Sequence, residues 1–235
     1  MSEIDISKLP KGGKGFVHDF AADQTIFKGV PWGKAMMWIF LLSDTFIFSC
    51  FLISLMTARG STTVEWPYPS EVFGLTMFGV EVPLLLIAIM TFVLITSSGT
   101  MALAVKYGYE KNRKKCAWLI LATAIGGLIF VGMQAFEWSK LIFHDGVRPW
   151  GNPFGAEQFG AFFFMITGFH GTHVSIGVIF LFIFARKTFR GDFDTGRRGY
   201  FTSMKSDYKA IEILGLYWHF VDLVWVFIFA FFYLW

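Results

Sequence analysis

The residues of this sequence that could do chemistry are a few ionisable side chains inside strongly apolar segments. Near the end of the chain, Glu212, His219 and Asp222 interrupt a run of Leu, Val, Ile, Phe, Trp and Tyr. Together with Gly215 they are spaced by three, four and three residues, which places all four on one stripe of a helix. Ionisable groups inside a membrane usually face the interior of a bundle and mark function or a specific helix contact.

Three further acidic or amide groups lie in other apolar segments: Asp44, Gln134 and Glu137. A carboxylate with no cation nearby in the membrane must be protonated, bond to a histidine or hydroxyl group, or reach water. A protonated Asp44 that exchanges its proton could therefore serve as a proton relay. The alternative is that Asp44 only hydrogen-bonds to a neighbouring helix.

Two histidines, His170 and His173, share one helix face at a spacing that suits metal ligation. With His219 they could form a three-histidine metal site, and two histidines on different helices could also bracket a haem iron. The competing explanation is structural. Imidazole nitrogens can bond Glu137, Glu212 or a backbone carbonyl where small residues let helices approach closely.

The elements that must position these residues are membrane-spanning helices. The chain is 55% hydrophobic and contains 30 Phe among 235 residues, which is typical of a polytopic membrane protein. Continuous apolar runs favour helices over a barrel. We predict an all-α bundle of five transmembrane helices within residues 34–235, preceded by a polar surface tail over residues 1–33 that lacks the pattern of a signal peptide. The predicted spans are about 34–57, 83–105, 116–138, 157–185 and 207–234.

The basic residues predict the orientation of the bundle. Of the 20 Lys and Arg, all but Arg59, Lys140 and Arg148 fall in residues 1–34, in the 106–115 loop or in the 186–209 segment. The positive-inside rule then places the N-terminus in the cytoplasm and the C-terminus outside. The net charge of +3 reflects this topology and gives no reason to expect nucleic acid as a partner. The single cysteines Cys50 and Cys116 are expected to be packing residues.

Several of these segments together resemble subunit III of the haem-copper respiratory oxidases, the cytochrome c oxidase family. Residues 168–174 are similar to the family segment G-F-H-G-x-H-V, and residues 217–225 are similar to its signature last helix. Residues 134–138 resemble the family's Q-A-x-E-aromatic segment, and residues 43–48 its S-E-x-x-x-F segment. Residues 81–85 with 97–99 resemble the start and end of another family helix. The likeness runs in order from about residue 34 to the end of the chain.

The resemblance implies an accessory subunit that carries no haem, copper or other metal itself. In the family, subunit III packs on catalytic subunit I, which with other partner subunits holds the haem and copper. It also binds phospholipid and supports proton uptake and the working lifetime of the oxidase. By this resemblance, a polar and lipid-binding network is expected to comprise Glu137, His170, His173, Arg186, Lys187, Glu212, His219 and Asp222. Asp44 is the candidate proton-related acid.

The sequence departs from the longer members of the family in two ways. Those members have seven spans, so this chain resembles the short bacterial form. At Asp44 they carry a glutamate known for its reaction with carbodiimide, and the side chain here is one methylene shorter. The family's phosphate-binding arginine matches either Arg186 or Lys187.

The sequence hypothesis is accordingly an accessory subunit III of a proton-pumping aa3-type cytochrome c oxidase, which reduces O2 to water in a bacterial cytoplasmic membrane. Subunit III of a quinol oxidase is the alternative within the family. The alternatives from other classes are an independent haem or metal protein that uses His170, His173 and His219, and a small transporter.

Overall fold

The fold is a bundle of five long helices, as the apolar spans predict. The computed structural model describes residues 32–77, 80–193 and 208–234. Each of the five long helices is long and apolar enough to cross a membrane, so the chain is an all-α, multi-pass membrane protein. In chain order the elements are α1 (Trp32–Ser61), the short helix α2 (Pro69–Val72), β1 (Gly74–Met77), β2 (Val80–Pro83), α3 (Leu85–Tyr109), α4 (Arg113–Phe143), α5 (Gln158–Arg190), α6 (Lys209–Phe229) and a π-helical turn at Ala230–Leu234.

Most of the helices extend beyond the apolar spans from which they were predicted. Hydrophobicity marks only the part of a helix inside hydrocarbon, whereas the helix itself continues until a local signal ends it. Asn112 caps the start of α4 by accepting a hydrogen bond from the backbone N–H of Lys115. Gly191 ends α5 in the left-handed conformation, at φ 80°, with its N–H directed to the carbonyl of Lys187. Of the predicted surface tail, only Trp32 and Gly33 lie within the described residues. Residues 194–207, with the basic residues Arg197, Arg198 and Lys205, lie outside them.

The segment between α1 and α3 contains structure that the sequence analysis did not predict. Strands β1 and β2 form a short antiparallel hairpin in which Leu75 pairs with Val82. The predicted second span begins at residue 83, but Pro83 is the last residue of β2 and Leu84 adopts a left-handed conformation at φ 64°. The chain therefore turns sharply at Leu84 before α3 begins. The sequence analysis missed this turn because an apolar run does not distinguish a strand from the helix that follows it.

Helices α3 to α6 form the body of the bundle, and α1 lies outside it. Helix α4 packs between α3 and α5, and α6 closes the bundle by packing on both α3 and α5. Helix α1 lies against α6 and, to a smaller extent, α5. The helices alternate in direction, so the bundle has two ends. We call them the Lys34 end, where α1, α4 and α6 begin, and the Lys140 end, where these three helices finish.

The rotation of α6 is fixed by a tryptophan at the centre of the bundle. The indole N–H of Trp218 donates to Ser97 Oγ of α3 over 3.1 Å, and the side chain is fully buried. A Cβ atom at Gly127 of α4 would lie 2.4 Å from Trp218 Cη2, and one at Gly177 of α5 would lie 3.0 Å from Trp218 Cζ3. Small residues on two neighbouring helices thus make the space that the indole fills.

We expect the substitution Gly127→Ala to destabilise the bundle, because the new methyl group overlaps both Trp218 and Val178. Overpacking of this kind costs about 1–3 kcal/mol. The matched control is Gly132→Ala on the same helix, where a Cβ meets nothing within 4 Å. Thermal unfolding in detergent, followed by circular dichroism, should show a lower midpoint for Gly127→Ala only. Equal midpoints for the two variants would contradict the packing described.

Candidate functional site

The structure brings together two of the predicted site residues, Asp44 of α1 and His173 of α5. Asp44 Oδ1 lies 3.5 Å from His173 Nε2, and Asp44 is almost completely buried. His173 Nδ1 lies 2.8 Å from the carbonyl oxygen of Phe169, one turn earlier in α5. A carbonyl only accepts hydrogen bonds, so Nδ1 must carry the hydrogen. The neutral ring then presents an unprotonated Nε2 to Asp44.

At 3.5 Å the contact is longer than a normal hydrogen bond, and the two ionisable side chains face each other directly across the boundary between α1 and α5. The ring of His173 is also in contact with Phe169 and Phe48, with centroids 4.7 and 5.9 Å away. The aromatic surroundings limit solvation of the pair and so strengthen the interaction between the two groups.

An apolar groove runs from this pair toward the Lys34 end. It has a volume of about 480 Å³ and lies between α1, α5 and α6. His173 and Phe184 both line it. Arg186 and Lys187 are both exposed on the final turns of α5, and Lys187 Nζ lies 5.8 Å from the centre of the Phe184 ring. Of the two candidate phosphate ligands, Lys187 is therefore the one placed beside a residue that lines the groove.

His170 is completely enclosed in the bundle but makes no polar contact. Neither of its ring nitrogens has a hydrogen-bond partner among the residues that the structure describes. The ring stacks on Trp225 of α6, with centroids 5.5 Å apart and planes inclined by 27°, and meets the rings of Phe130 and Phe48 edge-on. His170 is thus surrounded by aromatic groups from three other helices.

The polar stripe of α6, which the spacing placed on one face of the helix, faces α3. His219 Nδ1 lies 2.6 Å from Ser98 Oγ, and the same hydroxyl lies within hydrogen-bonding reach of the Asp222 carboxylate. Gly215 packs closely against Val105 of α3. The sequence analysis identified the stripe but missed Ser98, because a serine in an apolar helix carries no signal of its partner.

Glu212, at the Lys34 end of the stripe, is held by two other helices. Its Oε1 lies 2.6 Å from Lys34 Nζ of α1, and its Oε2 accepts a hydrogen bond from the hydroxyl of Tyr109 of α3. Lys34 belongs to the first turn of α1, so the cation reaches Glu212 from the membrane edge. This contact joins the starts of α1 and α6 to the end of α3.

Glu137 forms a separate buried cluster toward the Lys140 end. Gln134 Nε2 donates to Glu137 Oε2 over 2.8 Å, and the hydroxyl of Tyr233 donates to Glu137 Oε1 over 3.2 Å. Tyr233 belongs to the π-helical turn that ends α6, and such turns often occur at functional sites. The sequence analysis missed Tyr233, since a tyrosine near the end of an apolar helix is normally read as an interface residue.

The predicted network is therefore divided into separate contacts, and the three histidines do not converge. His173 faces Asp44 of α1, His219 faces Ser98 of α3, and His170 is enclosed by aromatic rings. Within residues 32–77, 80–193 and 208–234, no group of three or more His, Cys, Asp or Glu side chains is arranged to hold a metal ion. The three-histidine haem or metal site finds no support in this geometry.

Comparison with known proteins shows which family this chain matches and which proteins it is similar to. The family described as cytochrome c oxidase subunit III matches residues 17–235. A Staphylococcus saprophyticus protein named probable quinol oxidase subunit 3 is 30% identical over 199 residues, which cover 84% of this chain and 86% of that protein. A Rickettsia prowazekii protein named probable cytochrome c oxidase subunit 3 is 32% identical over 214 residues, which cover 86% of this chain and 68% of that protein.

We expect His219→Ala and Ser98→Ala each to destabilise the protein by about 1 kcal/mol, because each removes one side of a hydrogen bond between α3 and α6. The double substitution should cost less than the sum of the two single ones, since both remove the same interaction. Thermal unfolding, together with the amount of phospholipid retained on purification, measures the effect. Thr96→Val is the control, because the Thr96 hydroxyl is exposed and bonds only the Phe92 carbonyl of its own helix. Additive losses would show that His219 and Ser98 act independently.

Proposed function

Because the chain belongs to the cytochrome c oxidase subunit III family, and is thus subunit III of a haem-copper oxidase, we propose that it supports an aa3-type cytochrome c oxidase that reduces O2 to water. In this role it packs on catalytic subunit I, binds phospholipid and sustains proton uptake and the lifetime of the enzyme. Haem and copper belong to the partner subunits. The chain itself is a non-catalytic part of the complex.

The observation that carries the proton-related part of the proposal is the Asp44–His173 pair. Asp44 is almost completely buried and faces His173, whose tautomer is set by the Phe169 carbonyl. A pair that shares one proton releases and accepts it without leaving an isolated charge in the membrane. We assign Asp44 as the proton-related acid and His173 as the residue that positions and balances it.

The remaining ionisable residues have structural and lipid-binding roles in this proposal. Glu212, His219 and Asp222 order α6 against α1 and α3, and Glu137 orders the end of α6 through Tyr233. His170 fills the centre of the bundle. The groove between α1, α5 and α6 receives an acyl chain, and Lys187, beside Phe184 at its edge, contacts the phosphate, with Arg186 nearby.

We propose a location in the cytoplasmic membrane of a bacterium, with the N-terminus inside. The described Lys34 end carries most of the basic residues, including the 106–115 loop and the last turns of α5. This distribution supports placing the Lys34 end in the cytoplasm and the Lys140 end outside.

A quinol oxidase is the second candidate for the complex. The Staphylococcus saprophyticus relative carries that name, and it is close to this chain in length, because the match covers 84% of this chain and 86% of that protein. The electron donor is bound by other subunits, so the choice between cytochrome c and quinol depends on which subunits assemble with this chain.

Asp44→Asn should slow proton uptake and shorten the catalytic lifetime of the assembled oxidase, because the amide cannot exchange a proton with His173. Asp44→Glu should retain most of the activity, since it restores the acid. Ser43→Ala, at the exposed neighbouring position, is the control. Steady-state turnover, the rate of inactivation during turnover and the kinetics of proton uptake are the measurements. If all three are unchanged in Asp44→Asn, Asp44 has no proton-related role.

Purification through a tag on this chain should recover a haem- and copper-containing partner, and the donor-binding subunit recovered with it should distinguish cytochrome c from quinol. Once separated from the complex, the chain should show no haem absorption in its visible spectrum and no stoichiometric metal. Haem or metal that stays with the isolated chain would refute the accessory role. Solute flux by the chain alone in liposomes would instead indicate a transporter.

A further inference from the structure

The structure contains a second apolar groove, along the half of α1 that runs to the Lys140 end. It lies between α1 and α6 and has a volume of about 340 Å³. Its lining shares no residue with the groove beside His173. Ile53 and Met56 of α1 and Phe227 of α6 line it and are exposed, so it opens on the outer surface of the bundle. We call it the α1–α6 groove.

The length of the α1–α6 groove matches one leaflet of a bilayer. The groove begins at Thr45, near the middle of α1, and ends at Met56. At a rise of about 1.5 Å per residue, this stretch of helix is about 16 Å long. Half of the hydrocarbon core of a bilayer is about 15 Å thick. A hydrocarbon chain in this groove would therefore extend from the centre of the bilayer to its boundary at the Lys140 end.

At that boundary, the groove is followed by a cleft that carries charges of both signs. The cleft has a volume of about 520 Å³, and Arg59, Glu65 and Tyr233 line it. Arg59 lies one turn after Met56 on α1, and Tyr233 lies two residues after Phe231 of the groove. The apolar groove and the charged cleft thus lie end to end along the same pair of helices. We call this second space the Arg59 cleft.

The backbone beside the Arg59 cleft is held in place by the segment before α5. The N–H of Ala156 donates to the carbonyl oxygen of Glu65 over 3.2 Å. A Cβ atom at Gly155 would lie only 2.4 Å from that oxygen, so this close approach requires glycine. The next residue, Trp66, packs edge-on against Phe159 of α5, with ring centroids 5.7 Å apart. These contacts position Glu65 at the cleft before any ligand binds.

The two charges of the Arg59 cleft fit a head group that contains a phosphate and an ammonium group. A guanidinium group binds phosphate through its planar array of N–H donors. A carboxylate offers several acceptor sites, and one oxygen of Glu65 accepts from the Tyr68 hydroxyl over 3.1 Å. An ammonium group can donate to the remaining sites. Phosphatidylethanolamine carries both charged groups, whereas phosphatidylglycerol carries only the phosphate.

We propose that the Arg59 cleft and the α1–α6 groove together form a binding site for one phosphatidylethanolamine molecule of the leaflet at the Lys140 end. Arg59 contacts the phosphate, Glu65 contacts the ammonium group, and an acyl chain lies in the groove. The bound lipid ties the second half of α1 to α6. This inference deepens the lipid-binding role proposed above and rests on it, but it concerns a different site, at the opposite end of α1 from Lys187.

The test counts the phospholipids that the intact oxidase binds. The complex is stripped of loosely held lipid and titrated with phosphatidylethanolamine or phosphatidylglycerol, and bound lipid is counted by native mass spectrometry. We expect Arg59→Gln to weaken phosphatidylethanolamine binding at one site by about tenfold or more, the factor for losing a hydrogen bond between charged groups. Glu65→Gln should remove the preference of that site for phosphatidylethanolamine over phosphatidylglycerol.

A variant of the groove tests the acyl-chain part of the site and does not alter the charges. Ser49→Leu, which fills the α1–α6 groove, should also lower the count by one phosphatidylethanolamine. Its matched control is Ser54→Leu, at an exposed position of α1 that does not line the groove. The control for Arg59→Gln is Arg148→Gln, an exposed arginine at the Lys140 end that does not line the cleft. Both controls should bind as many lipids as the wild type.

Three results would overturn the inference. The first is an unchanged lipid count in both Arg59→Gln and Ser49→Leu. The second is equal binding of phosphatidylethanolamine and phosphatidylglycerol at this site in the wild type. The third is an effect of Arg59→Gln without any effect of Ser49→Leu, which would indicate a site for free anions.

The variant Lys187→Gln reports separately on the lipid site of the proposed function. Loss of a phospholipid in Lys187→Gln, with none lost in Arg59→Gln or Ser49→Leu, would overturn this inference alone. A wild-type complex in which the chain retains no phospholipid would refute both the inference and the proposed lipid-binding role.

Discussion

The hydrogen bond from the Trp218 indole to Ser97 is the contact on which the rest of the bundle depends. It helps to set the rotation of α6 about its own axis, and Gly127 and Gly177 make the space that the ring fills. Once α6 is fixed in rotation, His219 and Asp222 must face α3, Tyr217 must face α5, and the end of the helix must approach Glu137. A second indole, Trp225, repeats the arrangement by donating to Thr91 of α3 over 3.0 Å.

The bundle also separates two environments around its ionisable groups. The cluster of Lys34, Glu212 and Tyr109 lies at the membrane edge, where a cation and a carboxylate can keep their charges close to water. Asp44 and His173 lie deeper, among aromatic rings, where an unpaired charge is costly. Ionisable residues that look equivalent in the sequence thus lie in different environments, because they lie at different depths in the bundle.

Sequence reasoning predicted the five helices, but it did not predict how the ionisable side chains of different helices pair. Helical periodicity placed Glu212, His219 and Asp222 on one face, since spacing within a helix is a local property. It could not show that His173 meets Asp44 and His219 meets Ser98, because such contacts depend on which helices become neighbours. The hairpin before α3 and the π-helical turn at Tyr233 also escaped prediction, as both depend on backbone geometry that an apolar run does not encode.

Helix α1 lies at the edge of the bundle, and the residue that faces its Asp44 belongs to α5. This arrangement affects how α1 is inserted into the membrane during synthesis. This helix is translated before α5, which carries His173. Asp44 must therefore be inserted without its partner, at a cost of about 3 kcal/mol for an acid at the centre of a helix, while each Leu, Ile or Phe contributes about −0.5 kcal/mol. The many exposed Phe, Ile and Leu residues of α1 offset this cost, so the lipid-facing side of the helix makes insertion of the acid possible before the rest of the bundle exists.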